Sequence, residues 1–369
     1  MIYLDNAATS PLCEAAKNVI LDNLDEFWNV NSVYEPAIKL KVKVEEAREK
    51  IAELIGAKSA DEIYFTSGAS EANSWVTKCN LTLSSNIEHH SLCSDYIARV
   101  DNNGILNQWA IERAMTNIRV FGYTGKFDIL SCCYVNNELG VVEPIKNISN
   151  IAHAASVLCH TDATQALPHM CVNVQDINVD MLSASAHKFY GPKGIGFLYI
   201  KNGSRHHMRP LINGMQEKHY RGGTTNAVDI LAMAAALEDT VNHLDAINEK
   251  VGYLHKKLET ILLGVPGVHS NITVPDSMRV PGIINLRVDG LKGADIVAMA
   301  SQFGVYISSG SACNEGNATP SHVLKAIGLS DEEALSSIRI SIGRYNTEEE
   351  IDYVCDLFPK MIDHLRKLH

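Results

Sequence analysis

Lys188 lies in Ser185-Ala186-His187-Lys188-Phe189-Tyr190-Gly191-Pro192-Lys193-Gly194, a stretch with the residue types for covalent chemistry. A lysine amine condenses with an aldehyde. Upstream, Asp162-Ala163-Thr164-Gln165 ends an apolar run, and a carboxylate placed there can hold a pyridinium nitrogen. The turn Ser67-Gly68-Ala69-Ser70 and the stretch Arg221-Gly222-Gly223-Thr224 bring hydroxyls and glycine amides, which hold a phosphate. Ser308-Ser309-Gly310-Ser311-Ala312-Cys313 adds a thiol.

Each feature also has an ordinary structural reading. A strand, tight turn and helix start is more often a plain cap than a ligand site. The helix dipole contributes only about 0.3–1 kcal/mol per charge, so Ser70, Ser185, His187 and Thr224 are needed as further donors. Asp162 alone reads as the cap of the next helix, and a lone lysine as a solvated surface charge. Small residues and a histidine before Lys188, with Gly191, Gly194 and Gly196 after it, make a crowded turn unlike a surface position. Those glycines precede a strand instead of joining a strand to a helix, so they are not a dinucleotide fingerprint. Gln165 can reach a phenolic ring oxygen. His89, in Ile87-Glu88-His89-His90-Ser91, can cover one face of an aromatic cofactor and move protons. No histidine or cysteine spacing matches a zinc site. Arg339 can hold an amino-acid carboxylate through two parallel hydrogen bonds, with Asn137 assisting from the ring side. Cys313 is expected on an exposed, mobile loop. Gly310 and Gly316 flank it, Asn314, Glu315 and Asn317 are polar, and Thr319-Pro320 is expected to start a helix. Amine, carboxylate and phosphate cradle are the three functions that pyridoxal phosphate requires together.

The elements that must position these groups follow an alternating pattern. Helical and strand segments alternate through the first two thirds, which predicts an α/β domain with a largely parallel sheet covered by helices. Helices are expected at about 37–55, from about 71, and at about 145–155. Strands are expected at 62–65, 129–135, 157–161 and 194–200. Beyond about residue 225 two long helices lead into shorter elements, with strands at 283–288 and 338–342. The last helix opens on the capping box Thr347-Glu348-Glu349-Glu350 and shows one apolar face, Ile351, Val354, Phe358, Met361, Ile362 and Leu365. A large domain over 13–244 is expected, with 1–12 and 245–369 forming a smaller α+β domain that carries the cysteine loop.

The chain has 369 residues, 46% hydrophobic and 20% charged, an ordinary globular balance. A formal net charge of −11 without a basic run argues against nucleic acid as a partner. No apolar stretch approaches the roughly 18 residues of a membrane span, and no export signal is visible at the amino terminus. The 9 cysteines have irregular spacing, which predicts reduced thiols and a cytoplasmic location. Adjacent Cys132 and Cys133 read as part of a buried strand.

Eight stretches, in order, resemble the cysteine desulfurases of the iron–sulfur and nitrogen-fixation type, within the class V aminotransferase-like pyridoxal phosphate enzymes. They are residues 3–9, 65–71, 135–140, 162–165, 187–188, 221–224, 308–313 and 337–344. The resemblance implies fold type I, with a mainly parallel seven-stranded sheet in the large domain. It implies that Lys188 forms the Schiff base, Asp162 pairs with the pyridinium, Gln165 contacts the ring oxygen and His89 stacks on the ring. Ala69, Ser70, Ser185 and His187 match phosphate-site positions, and Thr224 matches one supplied by the other subunit of a homodimer. Cys313 matches the cysteine that attacks the sulfur of L-cysteine, and Asn137 and Arg339 match the carboxylate holders. The implied activity turns L-cysteine into L-alanine and passes sulfur from Cys313 to an acceptor protein such as an iron–sulfur scaffold. Selenocysteine lyase, a class V aminotransferase and a non-enzymatic sulfur-carrier scaffold are the alternatives. The chain departs from the family pattern at Val30-Asn31-Ser32-Val33-Tyr34-Glu35 and at Asn213-Gly214-Met215-Gln216-Glu217. Ser70 stands for a threonine, and Ala186 for a glycine.

Overall fold

The computed structural model describes residues 1–92, 94–117, 126–309, 311–314 and 317–368. Its strands are β1 (Ile2–Tyr3), β2 (Ile63–Thr66), β3 (Thr82–Ser85), β4 (Tyr96–Ala98), β5 (Ile129–Cys133), β6 (Leu158–Asp162), β7 (Met181–Ser185) and β8 (Gly196–Ile200). Then come β9 (Val268–Ser270), β10 (Ile283–Val288), β11 (Val305–Tyr306), β12 (Ser308–Ser309), β13 (Ser311–Asn314), β14 (Asn317–Pro320) and β15 (Ser337–Ser341).

Strands β2 to β8 form one seven-stranded sheet in the order β2-β8-β7-β6-β5-β3-β4. The pairs β7–β6, β6–β5, β5–β3 and β3–β4 are parallel, and β8 runs antiparallel to both its neighbours. Strands β2, β5, β7 and β8 are buried along their whole length, as expected for a sheet covered on both faces. One consequence positions the site. The carboxyl ends of β2, β3, β5, β6 and β7 and the amino end of β8 share one edge, where open α/β sheets bind ligands.

The helices around this sheet include α1 (Glu14–Asp22), α2 (Glu35–Leu54), α3 (Ala69–Cys79), α4 (Gln108–Asn117), α5 (Ile145–Ala154) and α6 (Ala227–Asn242). Helices α1 and α2 both lie against α6. A four-stranded antiparallel sheet, β12-β15-β10-β9, has its own hydrophobic core with α7 (Leu244–Leu263), α8 (Gly293–Gln302) and α11 (Glu348–Leu368). The amino terminus joins that part of the molecule. β1 pairs in parallel with β11, Leu4 belongs to the second core, and Asp5 bridges to Ser341.

Most expected elements occur within a few residues of their predicted bounds. The capping box of α11 forms, with Glu350 N–H donating to Thr347 Oγ1 at 3.3 Å and Thr347 N–H to Glu350 Oε2 at 3.2 Å. All six residues of its predicted apolar face are buried.

One expectation needs correction. Cys313 lies on β13, paired with β14 in a two-stranded hairpin with Cys313 opposite Ala318, and not on an irregular loop. Thr319 and Pro320 end that hairpin, and the helix starts only at α9 (His322–Ala326), capped by the Ser321 hydroxyl. Pro320 is tolerated at the end of a two-stranded ribbon, which has no central strand to disrupt. Expectations for Gly310, Glu315 and Gly316, and for the side chain of Cys313, lie outside the described residues. Among those described, no helix is long and apolar enough to cross a membrane.

Candidate active site

The loops at the shared sheet edge enclose a cavity of about 620 Å³. Lys188 sits in its floor, just past β7, and Nζ donates to the carbonyls of Ala7 and Ala8 at 2.6 and 2.7 Å. Burial pushes this amine down to about 8, helped by the nearby Arg339 charge and opposed by Asp162 and Asp5. The neutral, nucleophilic form is therefore far better populated near neutral pH than in an ordinary lysine, though still the minor one.

Asp162 is the last residue of β6. Its Oδ1 accepts from Thr164 N–H at 2.9 Å, and its Oδ2 accepts from Asn73 Nδ2 at 2.7 Å. Asn73, wholly buried in α3, also donates to Ser91 Oγ at 2.9 Å, and Ser91 Oγ lies 2.8 Å from His89 Nδ1. Ser91 N–H donates to the same Nδ1 at 3.2 Å, so that nitrogen is an acceptor and the ring proton sits on Nε2. Burial keeps His89 below its usual range, with Lys188, His90 and His322 adding to the effect and Asp162 opposing it. The ring lining the cavity is thus a neutral imidazole whose orientation is fixed through Asn73.

The phosphate candidates meet at the start of α3. Gly68 takes φ +149°, a conformation suited to glycine, and an added Cβ would come within 3.2 Å of Ser185 Oγ. Gly196 permits still closer approach, since a Cβ there would lie 2.7 Å from Gly68 Cα. Among the described residues, no side chain caps this helix end. Its turn is braced by Glu71, whose carboxylate accepts from Ser67 N–H at 2.7 Å and from Arg221 Nε and Nη2 at 2.7 and 3.0 Å. Burial works against the Glu71 charge, but these donors hold its carboxyl below the usual range. His187 Nδ1 lies 3.1 Å from Thr9 Oγ1, and burial with Lys188 and Lys193 pushes this histidine down to about 4.

Arg339, on β15, donates from Nη2 to Asp5 Oδ1 at 2.8 Å and to Ser308 Oγ at 3.2 Å, and from Nη1 to the Asn137 carbonyl at 3.1 Å. Its buried Nε has no partner among the described residues.

The cavity gathers Ala69, Ser70, His89, Asn137, Asp162 and Gln165, and likewise Ser185, His187, Lys188 and Arg339. Gln165 Nε2 is engaged with the Ala7 carbonyl at 2.7 Å. Thr224 stands apart and lines a smaller neighbouring cavity of about 150 Å³, which shares Ser67 and Gly194 with the first. Sequence reasoning assigned no role to Asp5, Ala7, Ala8, Thr9, Asn73, Ser91 or Ser308. Asp5, Ala7, Ala8, Thr9 and Ser308 do fall within the stretches 3–9 and 308–313 that carry the family resemblance, whereas Asn73 and Ser91 had no local signal.

The class-V aminotransferase profile spans residues 2–354. The chain belongs to the class-V aminotransferase family. Cysteine desulfurase IscS of Clostridium botulinum is 35% identical over 390 residues, covering 100% of this chain and 96% of the relative. A solved NifS-like protein matches with a TM-score of 0.87 at 28% identity, covering 100% of both chains. SspA in complex with cysteine matches with a TM-score of 0.78 at 30% identity, covering 94% of this chain and 100% of that one. Class-V aminotransferase-like proteins are pyridoxal phosphate-dependent enzymes, and so is the class to which this chain belongs. Its donor set fits that cofactor: a buried amine of lowered basicity, a braced carboxylate, an uncapped helix start and a guanidinium with a buried, unpaired N–H. Among the described residues, no group of His, Cys, Asp and Glu could hold a metal ion.

Proposed function

We propose that the chain is a cysteine desulfurase that converts L-cysteine to L-alanine and passes the sulfur, as a persulfide on Cys313, to an acceptor protein. The observation that carries this reading is the Lys188 amine, lowered to about 8, within one cavity that also holds Asp162, His89 and Arg339. Relatives named cysteine desulfurase support the choice of substrate.

Pyridoxal phosphate bound here would supply an electron sink for the pair left on the substrate's α-carbon. Lys188 would hold its aldehyde and, once displaced by the substrate amine, would carry the α-proton. Asp162, braced by Asn73 and Thr164, would keep the pyridine nitrogen protonated. Gln165 would face the ring oxygen, and the neutral ring of His89 one face. Ala69, Ser70, Ser185 and His187 would take the phosphate, and Asn137 and Arg339 the substrate carboxylate. Cys313 thiolate would then attack the substrate sulfur: a sulfur–sulfur bond forms, the carbon–sulfur bond breaks with its electron pair passing to the substrate carbon, that carbon takes up a proton, and L-alanine leaves.

Thr224 would complete the phosphate site of a second copy, making the enzyme a homodimer. Its position outside the main cavity supports this. So do Leu24, Phe27, Val33 and Ile38, exposed apolar residues on and between α1 and α2. Residues 13–244 would form the cofactor-binding unit, and 1–12 with 245–369 the unit carrying Cys313, in keeping with their separate sheets and cores. Seven described cysteines are free thiols, which supports a reducing, cytoplasmic setting and, with it, supply of sulfur to iron–sulfur cluster assembly.

The test is product analysis. Purified yellow protein given L-cysteine and a reducing thiol should release L-alanine and sulfide in equal amounts. Loaded protein that forms no alanine would overturn the reading.

A further inference from the structure

Lys188 sits on a turn with an uncommon closure. The Gly191 N–H donates back to the Ala186 carbonyl at 2.9 Å, the bond that ends a helical turn when the preceding residue is left-handed. Glycine is the ordinary occupant of that left-handed place. Here it is Tyr190, at φ +65° and 4% exposed. A bulky residue at positive φ is a genuine outlier, and it persists only where its surroundings over-determine it.

Contacts on both sides hold Tyr190 there. In such a closure the left-handed residue's N–H returns to the carbonyl three residues back, which is that of His187. Ser10 has entered that bond. Its Oγ accepts the Tyr190 N–H at 2.9 Å, and its own N–H and hydroxyl each donate to the His187 carbonyl at 2.9 Å. Cys13 N–H donates to the Tyr190 carbonyl at 2.9 Å. On the other side, the Tyr190 hydroxyl accepts the Arg344 N–H at 3.0 Å. The Tyr190 ring lies 5.1 Å from the Arg344 guanidinium, which pairs with Asp239 at 2.6 Å. The segment that supplies Ser10 also supplies the Ala7 and Ala8 carbonyls that receive Lys188 Nζ. One segment therefore holds both the backbone and the amine of the lysine.

We propose that Ser10 and Tyr190 are positioning residues for Lys188, fixing the direction from which its amine meets an aldehyde. Neither lines the cavity, so both act through the turn. A loosened turn would let the amine swing and admit water, which favours the ammonium form. The proposal rests on the reading of the cavity as a pyridoxal phosphate site.

The test follows uptake of pyridoxal phosphate by cofactor-free, full-length protein across pH, with borohydride reduction and mass analysis to confirm the adduct on Lys188. Ser10→Ala and Tyr190→Phe should each slow uptake at about pH 8 by about tenfold, the scale of one buried hydrogen bond. Each should also move the inflection up by about one unit, toward the ordinary lysine range. Arg339, Asp162, Asp5, His89, His187 and Lys193, the charged and titratable groups around the amine, are left in place by both substitutions. Ser10→Thr keeps the hydroxyl and should restore both rate and inflection. A merely structural role would lower the urea midpoint of Ser10→Ala and Tyr190→Phe while leaving the inflection where it was, and that result overturns the proposal. Absence of any reducible adduct on Lys188 in the unsubstituted protein marks a different failure, that of the site reading, and the proposal falls with it.

Discussion

The floor of the cavity disfavours charge on the Lys188 amine, because burial withholds the water that would solvate an ammonium. The neutral amine is the form that reacts with an aldehyde. Uptake of pyridoxal phosphate by cofactor-free protein should therefore accelerate as pH rises through about 8 and level off above it. An inflection in the ordinary lysine range, followed by stopped-flow absorbance, would contradict the assignment. Lys188→Ala should lose the borohydride-reducible adduct altogether, and persistence of that adduct on mass analysis would place it elsewhere. Cys313→Ser separates the two halves of the chemistry. It should stay yellow while sulfide release falls by about 10²-fold or more, as loss of a nucleophile predicts. Retained release would assign sulfur transfer to another group.

Two connections at the sheet edge carry buried acids that the chemistry does not use. Glu88, after β3, accepts from Ser85 Oγ at 2.5 Å and Cys133 N–H at 2.9 Å, while Glu143, after β5, accepts from Leu106 N–H at 3.0 Å. Burial raises both carboxyls to about 8. The folded chain therefore keeps two protons that the unfolded chain releases near pH 4.5. Between those limits the unfolded state binds fewer protons, so stability falls as pH rises from about 4.5 to 8. Glu88→Gln and Glu143→Gln should flatten this slope and stabilise the protein at high pH by on the order of 1–2 kcal/mol each. Urea midpoints across pH read the effect, and an unchanged slope would show that the carboxyls are ionised in the fold. The elements around these acids were legible in the sequence because alternation and capping signals are local. The hairpin bearing Cys313 was not, because glycines and polar residues describe a turn equally well whether or not strands flank it. The partners of the site residues were hidden for another reason. Ala7 lies 181 positions from Lys188, and Asn73 lies 89 from Asp162, so no local pattern could join them.

For the whole molecule, the surface near the amino terminus bears on assembly. Phe27 is 79% exposed and Val33 90%, an unusual outlay of large apolar side chains for a face left in water. Phe27→Asp with Val33→Asp should yield a monomer in sedimentation, with cofactor lost more readily on dilution. A dimer of unchanged strength would place the interface on another face. Thr224 sharpens that expectation, because it opens onto the side cavity and not onto the space beside Lys188. If each catalytic centre borrows its threonine across the pair, two crippled chains can mend each other. Blending Lys188→Ala with Thr224→Ala protein and letting the subunits exchange should create hybrids in which one of the two centres has every native part. Turnover well above that of either parent alone would reveal such trans-complementation.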